Sequence, residues 1–164
     1  MIDAVIFDLE GTLIRLPIDY KTLYNNIIRE LKISKVEPLT KTVKKLNSEL
    51  REKVFKLWEH AELEALPNMS PNYEGIELYR KYSDKPVALV TMQGKKVIKK
   101  ILDHFHLSFN IIFTREDEID RVRQIERVLD KMSWKPHNVL MVGDRESDEA
   151  AAVKVGCKFV KVRT

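Results

Sequence analysis

Cysteine is nearly absent: the 164 residues carry one, Cys157. A single thiol can form no disulfide within the chain and no cysteine-based zinc site. The sequence is expected to fold on an apolar core in a reducing, cytoplasmic setting. Histidine is equally unhelpful for metal binding. His60, His104, His106 and His137 are scattered without ligand spacing and read as structural. No apolar run approaches the length of a membrane span, and Met1 leads at once into an apolar stretch rather than a signal peptide. There is no compact basic run either. The net charge of +4 is spread among interspersed acids and bases, so nucleic acid is not an expected partner. Low-complexity stretches and internal repeats are missing too.

What is present is a chain that is 44% hydrophobic and 33% charged. That suits one soluble domain with room for an inserted subdomain. Residues 3–9 (DAVIFDL) form a short apolar run ended by Gly11, which predicts a buried strand. Pro86–Thr91, Phe109–Thr114, Asn138–Gly143 and Cys157–Val162 predict four more. Near-continuous apolar strands imply a parallel sheet covered on both faces. Between them, Val97, Ile98, Ile101, Leu102 and Phe105 repeat at helical spacing, as do Ile119, Val122, Ile125, Val128, Leu129 and Met132. Glu149–Val155 reads as a helix closed by Gly156. Alternating strands and helices give a doubly wound α/β fold.

The first connection departs from this rhythm. Tyr20, Leu23, Tyr24, Ile27, Ile28 and Leu31 make one apolar stripe. Val43, Leu46, Leu50, Val54, Leu57 and Ala61 make a second, with a break around Pro38 between them. A helical hairpin inserted over residues 15–67 is expected, leaving 1–14 and 68–164 as the core domain.

Acidic side chains gather where the strands end. Phe7-Asp8-Leu9-Glu10-Gly11-Thr12 closes the first strand and Gly143-Asp144-Arg145-Glu146-Ser147-Asp148 closes the fourth. Open α/β sheets bind ligands along this edge. Taken singly, each acid could be a turn former or a helix cap. Taken together they would repel one another unless a cation neutralised them, and an oxygen-only donor set suits Mg²⁺. Thr91, followed by Met92-Gln93-Gly94, could hold a phosphate oxygen with backbone N–H groups, or simply cap the next helix.

Asp8-x-Glu10-Gly11-Thr12, then Thr91, then Gly143-Asp144-x3-Asp148, in that order, resemble motifs one, two and four of the haloacid dehalogenase superfamily. The insert resembles its C1-type cap, as in phosphoglycolate-phosphatase-like members. The resemblance implies a Mg²⁺-dependent phosphatase acting on a small phosphorylated metabolite, as a monomer or homodimer, with no membrane partner. It makes Asp8 the nucleophile that forms an aspartyl-phosphate and Glu10 the general acid/base. Thr91 would hold a phosphoryl oxygen, with Thr12, Met92 and Gln93 beside the phosphate. Asp8, the Glu10 carbonyl, Asp144 and Asp148 would hold the metal.

Two positions depart from the family's pattern. Glu10 stands where Asp is commoner. The third motif's lysine is missing: the usual spacing lands on Ile119, and the nearest cations are Arg121 and Arg123. One of these is expected to replace it, with Lys95 and Lys96 next in line, while Lys131 and Lys135 come too late. Arg15, Asp19 and Tyr20 open the insert and could face a substrate. Trp58 and Trp134 read as packing residues. A catalytically weak phosphate- or partner-binding protein, and a phosphonatase or dehalogenase of the same superfamily, remain alternatives. A two-component receiver fits less well, because the helical insert follows Asp8 directly.

Overall fold

The computed structural model describes residues 1–164. Strand β1 (Ala4–Phe7) runs through a tight turn into the two-residue strand β2 (Ile14–Arg15). Helices α1 (Tyr20–Leu31), α2 (Leu39–Lys44) and α3 (Ser48–Ala65) follow, and the chain returns through β3 (Ser70–Pro71), antiparallel to β2. Then come α4 (Tyr73–Lys81), β4 (Val87–Val90), α5 (Lys95–Phe105), β5 (Ile111–Phe113) and α6 (Arg121–Met132). Strand β6 (Val139–Gly143), α7 (Glu146–Val155) and β7 (Lys158–Lys161) complete it.

The five longer strands form one sheet in the order β5-β4-β1-β6-β7, parallel throughout. Every residue of β1, β4 and β6 is buried, because helices cover both faces. On one face α5 packs Val97, Ile98, Ile101 and Leu102 against Val5, Phe7 and Leu89. On the other, α6 and α7 bring Ile125, Val128, Leu129, Ala151 and Ala152 against Ile6, Ala88 and Met141. Burying each large aliphatic side chain contributes about 1.5–3 kcal/mol. The edge strand β7 exposes Lys158 and Lys161, which discourages pairing with another sheet.

Strand order also places the site. From central β1 the chain winds outward to β4 and β5, then crosses back to β6 and β7. The reversal falls between β1 and β6, and a crevice opens there at the strands' C-terminal ends.

The insert differs from the expected hairpin. Its second stripe is two helices, α2 and α3, not one. Asn47 breaks it: its side-chain oxygen accepts the Leu50 N–H at 2.9 Å and caps α3. Val43 and Val54 still reach one cluster with Leu23, Ile27, Leu39, Trp58 and Ile119. Ile119 therefore packs under the insert rather than in α6, which begins only after Asp120 accepts the Arg123 N–H at 3.1 Å. Helix α4 and the β2–β3 ribbon were not expected. The ribbon is too short for a periodicity, and α4 carries Gly75 in its first turn. That glycine is needed, since a Cβ there would stand 1.8 Å from the Thr12 carbonyl oxygen. No helix is long and apolar enough to cross a membrane.

Candidate active site

The ends of β1 and β6 lie side by side, with the Asp8 N–H donating to the Val142 carbonyl at 3.1 Å. Two glycines let the acids beyond them meet. Gly11 has φ +86°, and a Cβ there would fall 2.2 Å from an Asp144 carboxylate oxygen. A Cβ on Gly143 would fall 2.8 Å from an Asp148 carboxylate oxygen. The Thr12 hydroxyl lies 3.2 Å from both Asp8 and Asp144, and its single proton can serve only one at a time. Asp148 sits in the first turn of α7 and accepts the Arg145 N–H at 3.4 Å. One carboxylate oxygen from each of Asp8, Asp144 and Asp148 lies within 4.8 Å of the others.

Such a cluster is electrostatically unfavourable without a cation. Burial, with Asp148 and Asp144 adding to it, pushes the Asp8 carboxyl up to about 8 despite the pull of Arg121. The donor set fits a hard divalent cation: three carboxylates converge, and no protein N–H or O–H donates to the Glu10 carbonyl oxygen. Glu10 itself is held above the usual carboxylate range by burial, with Arg145 opposing. The Arg145 guanidinium stands 3.8 Å from its carboxylate.

Arg121 lies beside Asp8. It donates to Asp8 at 2.9 Å and to Asp148 at 3.1 Å. Its third donor reaches the Gln124 side-chain oxygen at 2.9 Å. Gln124 is fully buried, and its amide nitrogen, with two protons to give, lies 3.0, 3.3 and 2.9 Å from the carbonyls of Thr91, Thr114 and Glu118. The guanidinium is thereby fixed to the ends of β4 and β5. Arg123 is not brought to the site. It lies largely exposed, 4.0 Å from Glu118, two residues round the helix from Arg121.

A cavity of about 560 Å³ covers Asp8, Glu10 and Arg121. Its opposite wall comes from the insert, with Tyr20, Tyr24, Leu39 and Trp58. Met92 and Gln93 line it, whereas Thr91 and Thr12 lie fully buried and do not. The Thr91 hydroxyl instead donates to the Gln93 side chain at 3.1 Å and accepts the Gln93 N–H at 3.1 Å. Among the residues that open the insert, only Tyr20 faces the cavity, its hydroxyl pushed up to about 12 by burial and by the Glu10 charge. Asp19 caps α1, and Arg15 donates to the Pro71 carbonyl at 3.2 Å. Lys95 pairs with Asp117 and Lys96 with Glu59 at the surface. Trp58, expected only to pack, is both packed and cavity-lining. Cys157 is buried, and burial pushes its thiol up to about 11, consistent with an inert core residue.

One arrangement left no signal in the sequence. Arg115 and Glu62 are fully buried and paired at 2.6 and 2.9 Å. Glu62 belongs to α3 of the insert, and Arg115 follows β5. The Glu62 carboxylate also accepts the Gly94 N–H at 3.3 Å, and Arg115 donates to the Met92 carbonyl at 3.1 Å. The pair ties the insert to the Met92–Gly94 loop. Gln124 was likewise not foreseen, because a glutamine on a helix gives no sequence cue to a buried position.

The fold agrees with that of known proteins. A profile described as haloacid dehalogenase-like hydrolase matches residues 5–162, and the chain belongs to that family. No curated protein matches it. Among solved structures, a haloacid dehalogenase-like hydrolase from Streptococcus pneumoniae superposes with a TM-score of 0.71 at 17% identity, covering 98% of this chain and 84% of that one. CbbY from Rhodobacter sphaeroides, in complex with phosphate, gives 0.72 at 13% identity, covering 100% and 87%. A protein assigned as a phosphoglycolate phosphatase from Lactobacillus plantarum gives 0.69 at 18% identity, covering 97% and 86%. At these identities the likeness is one of fold.

Proposed function

We propose that this hydrolase is a Mg²⁺-dependent phosphatase of small phosphate monoesters. The observation that carries the reading is the meeting of Asp8, Asp144 and Asp148 within 4.8 Å, with Arg121 bridging Asp8 and Asp148. Mg²⁺ would be held by these three carboxylates and the Glu10 carbonyl, and would offset their charge and that of a bound phosphate. In the first step an Asp8 carboxylate oxygen attacks phosphorus. The bond from phosphorus to the alcohol oxygen breaks, and Glu10 gives that oxygen its proton. Arg121 stabilises the charge on the transferring group from a fixed position. In the second step Glu10, now a carboxylate, takes the proton of a water that attacks phosphorus and frees Asp8. The raised Glu10 carboxyl suits a group that must hold a proton and then release it. The Asp144–Asp148 pair supports phosphoryl transfer over dehalogenation, which has no need of a divalent cation site. The insert excludes water from the cavity.

Hydrolysis of p-nitrophenyl phosphate tests the reading. Release of p-nitrophenol should need Mg²⁺, stop with excess chelator and vanish in Asp8→Asn. Full activity in chelator would refute the metal assignment, and full activity in Asp8→Asn would refute the nucleophile.

A further inference from the structure

The family resemblance assigns the hold on a phosphoryl oxygen to the Thr91 hydroxyl, at the start of the loop from β4 to α5. The structure leaves that hydroxyl nothing to give. Thr91 is fully buried and does not line the cavity. Its oxygen accepts the Gln93 N–H at 3.1 Å, and its one proton goes to the Gln93 side-chain oxygen at 3.1 Å. The next two backbone donors are also taken. The Gly94 N–H reaches the Glu62 carboxylate and the Lys95 N–H the Glu116 carboxylate, each at 3.3 Å. The protein's own anions therefore occupy the start of α5.

Two donors of this loop remain, the Met92 N–H and the side-chain amide of Gln93. Both residues line the cavity that holds Asp8 and Arg121. Gln93 is only 5% exposed. Its oxygen is held by Thr91, whose hydroxyl proton has no other acceptor, and the amide nitrogen is thereby turned the opposite way. That nitrogen donates to no protein group, yet it is not sealed from solvent as the Trp58 indole nitrogen is. Across the sheet, Phe7 stands opposite Leu89, so Asp8 and this loop leave neighbouring strands at the same edge. Two amide protons without a protein acceptor, fixed on the wall of the cavity that holds the nucleophile, are donors open to an anion.

Resting on the phosphatase reading above, we propose that the Gln93 side-chain amide is this loop's side-chain donor to the transferring phosphoryl group, and that Thr91 acts through it as a positioning residue. A fixed donor stabilises developing charge without reorganising. Thr91 supplies the fixing, because it holds both the side-chain oxygen and the backbone N–H of the same residue. Without the hydroxyl the amide is free to turn.

Inorganic phosphate, titrated calorimetrically with Mg²⁺ into wild type and variants, tests the inference without turnover. Gln93→Met keeps the length of the side chain and removes the donor. It should weaken phosphate binding about 10- to 100-fold, the worth of one hydrogen bond to a charged group. Gln93→Glu keeps an oxygen for Thr91 but turns a carboxylate toward the phosphate, and should weaken binding further. Phosphate bound as tightly by either variant as by wild type overturns the inference. In p-nitrophenyl phosphate hydrolysis, Gln93→Met should lower kcat by about 10²–10³-fold. Thr91→Val should cost less than that alone, and nothing further in the Gln93→Met background. A Thr91→Val loss as large in that background as in wild type places the hydroxyl itself on the phosphate and overturns the inference. If Thr91→Val fails to fold, the two Gln93 variants still decide. Wild-type hydrolysis of acetyl phosphate reports on the phosphatase reading alone. Its absence would fell that reading, while the order of phosphate affinities still decides this one.

Discussion

At the scale of single residues, Arg121 and Glu10 carry the sharpest expectations. Arg121→Ala removes the group that bridges Asp8 and Asp148. It should lower kcat/KM by about 10²–10³-fold, as loss of a fixed donor to a developing charge does. Arg123→Ala should leave the rate nearly unchanged, because its side chain is largely exposed beside Glu118 and does not line the cavity. Equal losses in steady-state assays of the two variants would refute this division. Glu10→Gln keeps shape but cannot move a proton, so steady turnover should fall about 10²–10⁴-fold. With p-nitrophenyl phosphate, whose leaving group needs little protonation, a burst of one p-nitrophenol per site should precede slow turnover. Wild-type kinetics without a burst would leave Glu10 a turn residue. The convergence of Asp8, Asp144 and Asp148 was legible in the sequence because Asp8 and Asp144 each follow a short apolar run in a sheet whose edge binds ligands, and Asp148 lies one helical turn beyond Asp144. The choice between Arg121 and Arg123 was not. Both lie in the first turn of one helix, and only the position of Asp120 as cap fixes which one turns toward β1.

At the scale of elements, the buried Glu62–Arg115 pair joins the insert to the core. Removing one partner leaves a charge buried without compensation, which costs about 3–5 kcal/mol. Glu62→Gln or Arg115→Met should lower the urea midpoint accordingly, whereas the double variant should lose less than the sum of the two. Single losses below about 1 kcal/mol would show that the interface does not depend on the pair. Arg115 lies in a run that reads Thr-Arg-Glu-Asp, which resembles any solvated turn. Only the arrival of α3 in space removes it from water. The five core strands were readable because two covered faces demand continuous apolar runs. Helix α4 and the broken second stripe of the insert were not, since Gly75 and Asn47 act through backbone contacts and capping that periodicity does not report.

At the scale of the whole molecule, the acid cluster couples stability to pH and to metal. Without metal the folded protein holds a proton on Asp8 up to about pH 8, whereas the ordinary carboxyl value is 3.8. Folding is therefore favoured at this group below about pH 4, and that contribution is lost as pH rises through about 8. A divalent cation must displace the proton, so Mg²⁺ affinity should rise by up to about tenfold per pH unit below 8. Thermal shift titrations at pH 6 and pH 8 would measure this, and a pH-independent affinity would contradict it. The central claim, that Asp8 becomes covalently phosphorylated, has the most direct test of all. Protein turning over acetyl phosphate in Mg²⁺ should be acid-quenched within milliseconds and its peptides mapped by mass spectrometry. One phosphoryl group, labile to hydroxylamine, should lie on the peptide containing Asp8 and be missing from Asp8→Asn. Rapid Mg²⁺-dependent hydrolysis with no phosphoryl group on that peptide would contradict the account.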